Sequence, residues 1–185
     1  MTNIPSPVFK SETGFAALVV DFSKLALAPE ITIDQKHYVL KDEFHATLVG
    51  YGHEFCKRLA EAKSVSLKEA ERMSKDLFVE AVQQIDFRIN LVPAYFKVYK
   101  KYQRNWPYTR RSIMVICTVC NGCEFYNRLT GFSGVPFCTV PHHVTLYTLP
   151  DEMSRRGIGL VNTRQFLAQT LKINKVKQLK LLPRF

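Results

Sequence analysis

The chain has 185 residues, 46% of them hydrophobic and 23% charged, a balance that suits a packed globular protein and excludes a disordered or fibrous one. No apolar run is long enough to span a bilayer, and five cysteines, an odd number, argue against a secreted disulfide scaffold and for reduced thiols. The formal net charge of +10 favours polyanionic partners, nucleic acids and nucleotides first, although many small basic proteins bind neither.

This length suits one compact domain or two small lobes sharing a core, and residues 1–185 contain no linker or low-complexity segment. Residues 1–13, with Pro5 and Pro7, read as a loose lead-in. They lack the basic and apolar regions of a signal peptide, so the expected location is cytoplasmic, in the host cytoplasm if the protein is viral. Phe15–Phe22 is a short apolar run, expected to be a buried strand. Ile31–Ile33 and Tyr38–Leu40 read as strands around a polar turn, Asp34-Gln35-Lys36. Phe44–Val49 is the next expected strand, ended by Gly50-Tyr51-Gly52, and His53–Ala62 has helical character. Ser66–Gln84 is the clearest helix: Ser66 caps it, Glu69 follows three residues on, and Leu67, Ala70, Met73, Leu77, Ala81 and Val82 give an apolar face.

Phe87–Lys100 reads as a strand interrupted at Pro93, Gln103–Arg111 as an exposed turn, and Ser112–Val119 as a buried strand. After Asn121-Gly122, Glu124–Leu129 suggests a short helix ended by Gly131 and Gly134. Val144–Thr148 and Gly157–Val161 read as strands, and Thr163–Leu171 as a helix.

Two tripeptides carry the chemistry: His45-Ala46-Thr47 and His143-Val144-Thr145, one in each half of the chain. On a strand, residues i and i+2 face the same side, so each motif presents an imidazole beside a hydroxyl while Ala46 or Val144 packs inward. Leu48 and Leu146 continue the apolar pattern. Two such strands facing each other would bring together two imidazoles and two hydroxyls. One neutral imidazole can take a proton from an attacking oxygen while the other, protonated, gives one to the leaving oxygen. The hydroxyls can donate to non-bridging phosphoryl oxygens as charge builds there. No metal or other cofactor is required by this scheme.

A lone His-x-Thr is a weak signal; the matched flanks and the paired placement make it specific. FHATLVG and HHVTLYT resemble the paired H-x-[TS]-x-hydrophobic motifs of the 2H phosphoesterase superfamily. That group includes LigT-like RNA 2′,3′-cyclic phosphodiesterases, enzymes that cut 2′-5′ oligonucleotides, and phage and poxvirus members that degrade cyclic nucleotide immune signals. The resemblance implies a bilobal α+β fold, two β-sheet lobes with outer helices and a central cleft. It implies a phosphodiesterase acting on RNA or on a cyclic or linear oligonucleotide, with catalytic His45 and His143 and phosphoryl-binding Thr47 and Thr145. In one direction of reaction His45 would be the base and His143 the acid; the near symmetry of the motifs leaves the assignment open. The chain departs from the LigT-like pattern in having a strand hairpin before the first motif and an insertion-like segment at Gln103–Arg111, which leaves the subfamily open.

Several residues border this scheme. Tyr147, by parity with His143 and Thr145, and Tyr51, by parity with His45, are candidates for stacking on a base, against a reading as ordinary core or rim aromatics. Arg155 and Arg156 are candidates for gripping phosphate, against a solvated loop. Arg104, Arg110 and Arg111 around Trp106 and Tyr108 form a second basic-aromatic stretch, read in preference as an exposed hairpin tip. His142 points to the face opposite His143 and is expected to be structural; His37 and His53 read as surface residues. Cys117, Cys120 and Cys123, with Cys138, are candidate ligands for zinc or an iron–sulfur cluster. Cys117 lies in an apolar strand, however, and no second Cys-x-x-Cys pair completes a zinc pattern. The tail from Lys172 to Phe185 has five basic and no acidic residues. Neither a membrane nor an obligate protein partner is expected. The rival classes are a non-catalytic nucleotide- or RNA-binding module on the same fold and a metal-binding structural protein centred on the cysteines.

Overall fold

A computed structural model describes residues 6–10, 15–22, 27–50, 52–101, 109–137, 141–150, 158, 160 and 163–173. Among them the fold is α+β, with one large antiparallel sheet of nine strands and four helices. In chain order the strands are β1 (Ser6–Lys10), β2 (Phe15–Val19), β3 (Glu30–Ile33), β4 (Lys36–Leu40), β5 (His45–Val49), β6 (Arg88–Lys101), β7 (Thr109–Cys120), β8 (His143–Thr148) and β9 (Thr170–Lys172). Helices α1 (Gly52–Lys63) and α2 (Leu67–Val82) follow β5, α3 (Gly122–Ser133) joins β7 to β8, and α4 (Thr163–Gln169) precedes β9. No helix of the described residues is long and apolar enough to cross a membrane.

The main path across the sheet is β1-β2-β5-β8-β7-β6-β9, so the two motif strands, β5 and β8, are neighbours at its centre. The β3–β4 hairpin joins through β4, which pairs with the end of β8 at Val39↔Thr148 and Leu40↔Tyr147. Its turn places Asp34 and Gln35 at φ 50° and 59°, the positive-φ geometry that matches the twist of two hairpin strands.

One face of the central strands packs against helices α1–α3. Ala46, Leu48, Val144 and Leu146 join Phe55 and Leu59 of α1, Phe78 of α2, and Phe125 and Leu129 of α3 in the main core. Each fully buried Leu or Phe contributes roughly 1.5–3 kcal/mol. Helix α2 starts where Ser66 accepts a hydrogen bond from the Glu69 N–H at 3.2 Å. The Glu69 carboxylate pairs with Arg72 at 2.6 Å. Helix α3 is entered through Asn121 at φ 62°, whose side-chain amide donates to the Asp86 carbonyl at 2.7 Å, a conformation Asn tolerates better than most residues. It leaves through Gly134 at φ 73°.

The structure corrects the sequence reading of several segments. Residues 6–10 form a strand, β1, paired along its length with β2. Arg110 and Arg111 belong to β7 instead of a turn. The helix expected to run to Leu171 stops at Gln169, and Thr170–Lys172 pairs with β6 as an edge strand. Ile158 and Leu160 are not in a strand; both are buried beside Val98 and Met114. Pro93 interrupts β6 as expected, since the register with β7 shifts between Val92 and Tyr95.

Candidate functional site

The site is built by register. Ala46 on β5 lies opposite Val144 on β8. Extending that antiparallel pairing by one residue each way sets His45 across from Thr145, and Thr47 across from His143. Directly opposed residues share a face, so all four motif side chains lie together on the face away from Ala46 and Val144. The two histidines are diagonal neighbours, a relation that separates Cα atoms by roughly 7–8 Å.

The flanking strands complete two rows across the sheet. β2 sets Val19 beside His45 and Ala17 beside Thr47. β7 sets Met114 beside Thr145 and Ile116 beside His143. The rows therefore read Val19–His45–Thr145–Met114 and Ala17–Thr47–His143–Ile116.

The same irregularity follows both motifs. Between Thr47 and Val49, β5 has one residue more than β2, and between Thr145 and Tyr147, β8 has one more than β7. The extra residues, Leu48 and Leu146, are bulges, which bend a strand and reverse the alternation beyond them. Val49 and Tyr147 are thereby turned to the side of Ala16 and Ile113, their register partners, and all four belong to the main core. Parity carried past Thr145 predicts Tyr147 beside the motif; the bulge overturns it. Tyr147 is 0% exposed and its hydroxyl donates to the Ala28 carbonyl at 3.0 Å, so its ring does not line the motif patch.

The two half-sites differ in cover. His45, Thr47 and Thr145 are half-buried, and Val19 beside His45 is 43% exposed. His143 is only 8% exposed. Near it, Ile158, Leu160 and the Phe166 ring of α4 pack with Met114, Val98, Ile116 and Phe96 into a second apolar cluster. Burial pulls the pKa of His143 below its ordinary value, while backbone hydrogen bonds to Pro141 and Ile158 favour the charged ring and oppose the shift. Its Nδ1 lies 3.2 Å from the Pro141 carbonyl oxygen. That carbonyl can only accept, so Nδ1 carries the proton of this bond.

His142 faces the helices, as alternation predicts. Its Nε2 lies 2.9 Å from the hydroxyl oxygen of Tyr126 on α3, and the two rings stack at 6.1 Å. Burial first, and then the charge of neighbouring His143, push its pKa down to about 4. The unfolded chain, with histidine near 6.5, takes a proton there before the folded protein does. Stability from this residue is thus complete above about pH 6.5 and is lost as pH falls towards 4. Between pH 7 and 5 the loss should be about 2 kcal/mol. Urea unfolding of wild type and His142→Gln at both pH values should show a smaller loss in the variant; an equal loss would remove His142 as the cause.

The remaining candidates lie apart. His37 is exposed and 3.5 Å from Glu30. Cys117 is buried in β7 with its thiol pushed up to about 12 by burial, Cys120 is half-buried, and Cys123 is exposed on α3. No group of three or more His, Cys, Asp or Glu converges among the described residues. A cavity between Asp34, Lys36, Tyr38, Lys97 and Arg111 shares no residue with the motifs. Tyr51, Arg104, Trp106, Tyr108, Cys138, Arg155, Arg156 and the tail beyond Ile173 lie outside the described residues. Sequence reasoning missed Val19, Ile158 and Tyr126, which come to the motif strands only through tertiary pairing and leave no local signal. No protein-family profile, curated protein or solved structure matches this chain.

Proposed function

We propose that this protein is a metal-independent phosphodiesterase of the 2H type. Its substrate would be RNA bearing a 2′,3′-cyclic phosphate or 2′-5′ linkage, or a small cyclic or linear oligonucleotide signal. The observation that carries this reading is the antiparallel juxtaposition of the motifs, which gives each histidine the other motif's threonine as its cross-strand neighbour. Such a patch can hold a phosphoryl group between two imidazoles while both hydroxyls donate to its oxygens. The net charge of +10 supports a polyanionic substrate. The bilobal architecture of that superfamily would divide the sheet between β5 and β8, where a single residue pair bridges the strands.

The surroundings of the histidines support one assignment of roles. His143, whose pKa burial lowers and whose Nδ1 is directed at the Pro141 carbonyl, would be the general base. His45, half-buried beside exposed Val19, would be the general acid at the more open half-site. This is the opposite of the direction in which His45 is the base and His143 the acid.

The test is incubation with 2′,3′-cyclic-phosphate RNA, 2′-5′ oligoadenylates and cyclic di- and trinucleotides, with and without EDTA, and products resolved by chromatography. Cleavage of at least one substrate class at an unchanged rate in EDTA is expected. Activity lost in EDTA and restored by zinc or manganese would sink the metal-independent mechanism. Tight binding without cleavage of any substrate would instead leave a binding module.

A further inference from the structure

The two half-sites share little backbone. Among the described residues Ala46↔Val144 is the single registered pair between β5 and β8, and the end of β8 pairs with β4. The bulges add a second weakness, because Leu48 and Leu146 have no register partner on β2 and β7. Backbone groups set aside by a bulge need partners elsewhere when buried. The Leu146 carbonyl accepts from the Lys41 N–H at 2.9 Å. The Leu48 carbonyl accepts from the Tyr126 hydroxyl at 2.8 Å.

Tyr126 has one hydroxyl proton, and the Leu48 carbonyl can only accept. The 2.9 Å contact to His142 Nε2 is then completed by an N–H on Nε2 donating to the Tyr126 oxygen. The His142 carbonyl in turn accepts from the Cys117 N–H at 2.9 Å, which fastens that end to β7. The chain of bonds therefore starts one residue after Thr47, passes through α3, and ends one residue before His143. Phe125 and Phe137, with ring centroids 5.2 and 6.1 Å away, hold the Tyr126 ring. Aromatic packing alone would be served by Phe; the hydroxyl is what ties the strands.

We propose that Tyr126 and His142 are positioning residues, a buried tie behind the sheet that fixes the spacing between the His45-Thr47 and His143-Thr145 half-sites. Neither side chain is on the motif face. The inference rests on the phosphodiesterase reading for its effect on turnover, while its effect on the spacing is independent of that reading. A misplacement of about 1 Å between reacting groups can cost about 100-fold in rate.

The experiment compares wild type with Tyr126→Phe, His142→Leu and His142→Gln. Tyr126→Phe and His142→Leu should each lower kcat by at least about 10-fold while KM stays within about twofold, because the threonines still meet the phosphoryl group. His142→Gln keeps an N–H donor at the place of Nε2 and should restore most of the rate. A kcat within twofold of wild type in folded Tyr126→Phe would overturn the tie, as would a loss no larger than the unfolded fraction. If His142→Leu does not fold, Tyr126→Phe decides. If wild type cleaves nothing, the functional reading fails separately. The tie is then judged from the ring nitrogen signals of His45 and His143 in 15N NMR. They should move in Tyr126→Phe, and signals that coincide with wild type would overturn it.

Discussion

Replacing His45 or His143 by alanine should each lower turnover by about 100-fold or more, the usual consequence of losing a positioned acid or base. The two substitutions differ in what else they disturb. His45 is half-buried beside the exposed Val19. His143 is nearly buried, and its removal leaves a gap and strips the Pro141 carbonyl of its partner. A buried polar group left alone costs about 1–3 kcal/mol. His143→Asn separates the effects, since its amide can still donate to Pro141 while nothing replaces Nε2. All three variants should be nearly inactive when folded, by circular dichroism and thermal unfolding. Near-full turnover in any of them would remove that histidine from the mechanism.

The parts of this fold set by short-range pattern were legible in the sequence. The Asp34-Gln35 turn, the Ser66 cap with Glu69 three residues on, and the alternation of His45-Ala46-Thr47 and His143-Val144-Thr145 all arise within a few residues. What escaped depends on partners remote in sequence. Ser6–Lys10 has little intrinsic strand character and becomes β1 because β2 presents an edge to it. Thr170–Lys172 is captured in the same way by β6. The bulges had a signal that alternation overrode: Leu48-Val49 and Leu146-Tyr147 put two core side chains in succession, which a regular strand with one solvated face does not do. Read that way, Tyr147 belongs in the core. Tyr126 had no signal of its own, because its importance lies in touching two strands that meet only in the folded protein.

The pH dependence of the rate should be a bell. One imidazole must be neutral and the other protonated in the reactive state, so protonation of the base removes activity at low pH and deprotonation of the acid removes it at high pH. Both limbs belong to the coupled pair and not to either ring alone. With ordinary histidine near 6.5, the maximum should lie between about pH 5.5 and 8. Burial lowers the pKa of His143 in the free protein. If His143 is the base, the acidic limb of kcat/KM, which reports the free enzyme, falls below pH 6.5. Bound phosphate favours both charged rings, so the limbs of kcat should move upward relative to those of kcat/KM. Thr47→Val and Thr145→Val remove donors without removing a titrating group. Each should lower the rate, by up to about 100-fold if its hydroxyl acts like an oxyanion donor, and leave the bell in place. An acidic limb of kcat/KM above pH 6.5 would return the base role to His45. A rate that climbs steadily to pH 10, with no acidic limb in the histidine range, would sink two-histidine catalysis altogether.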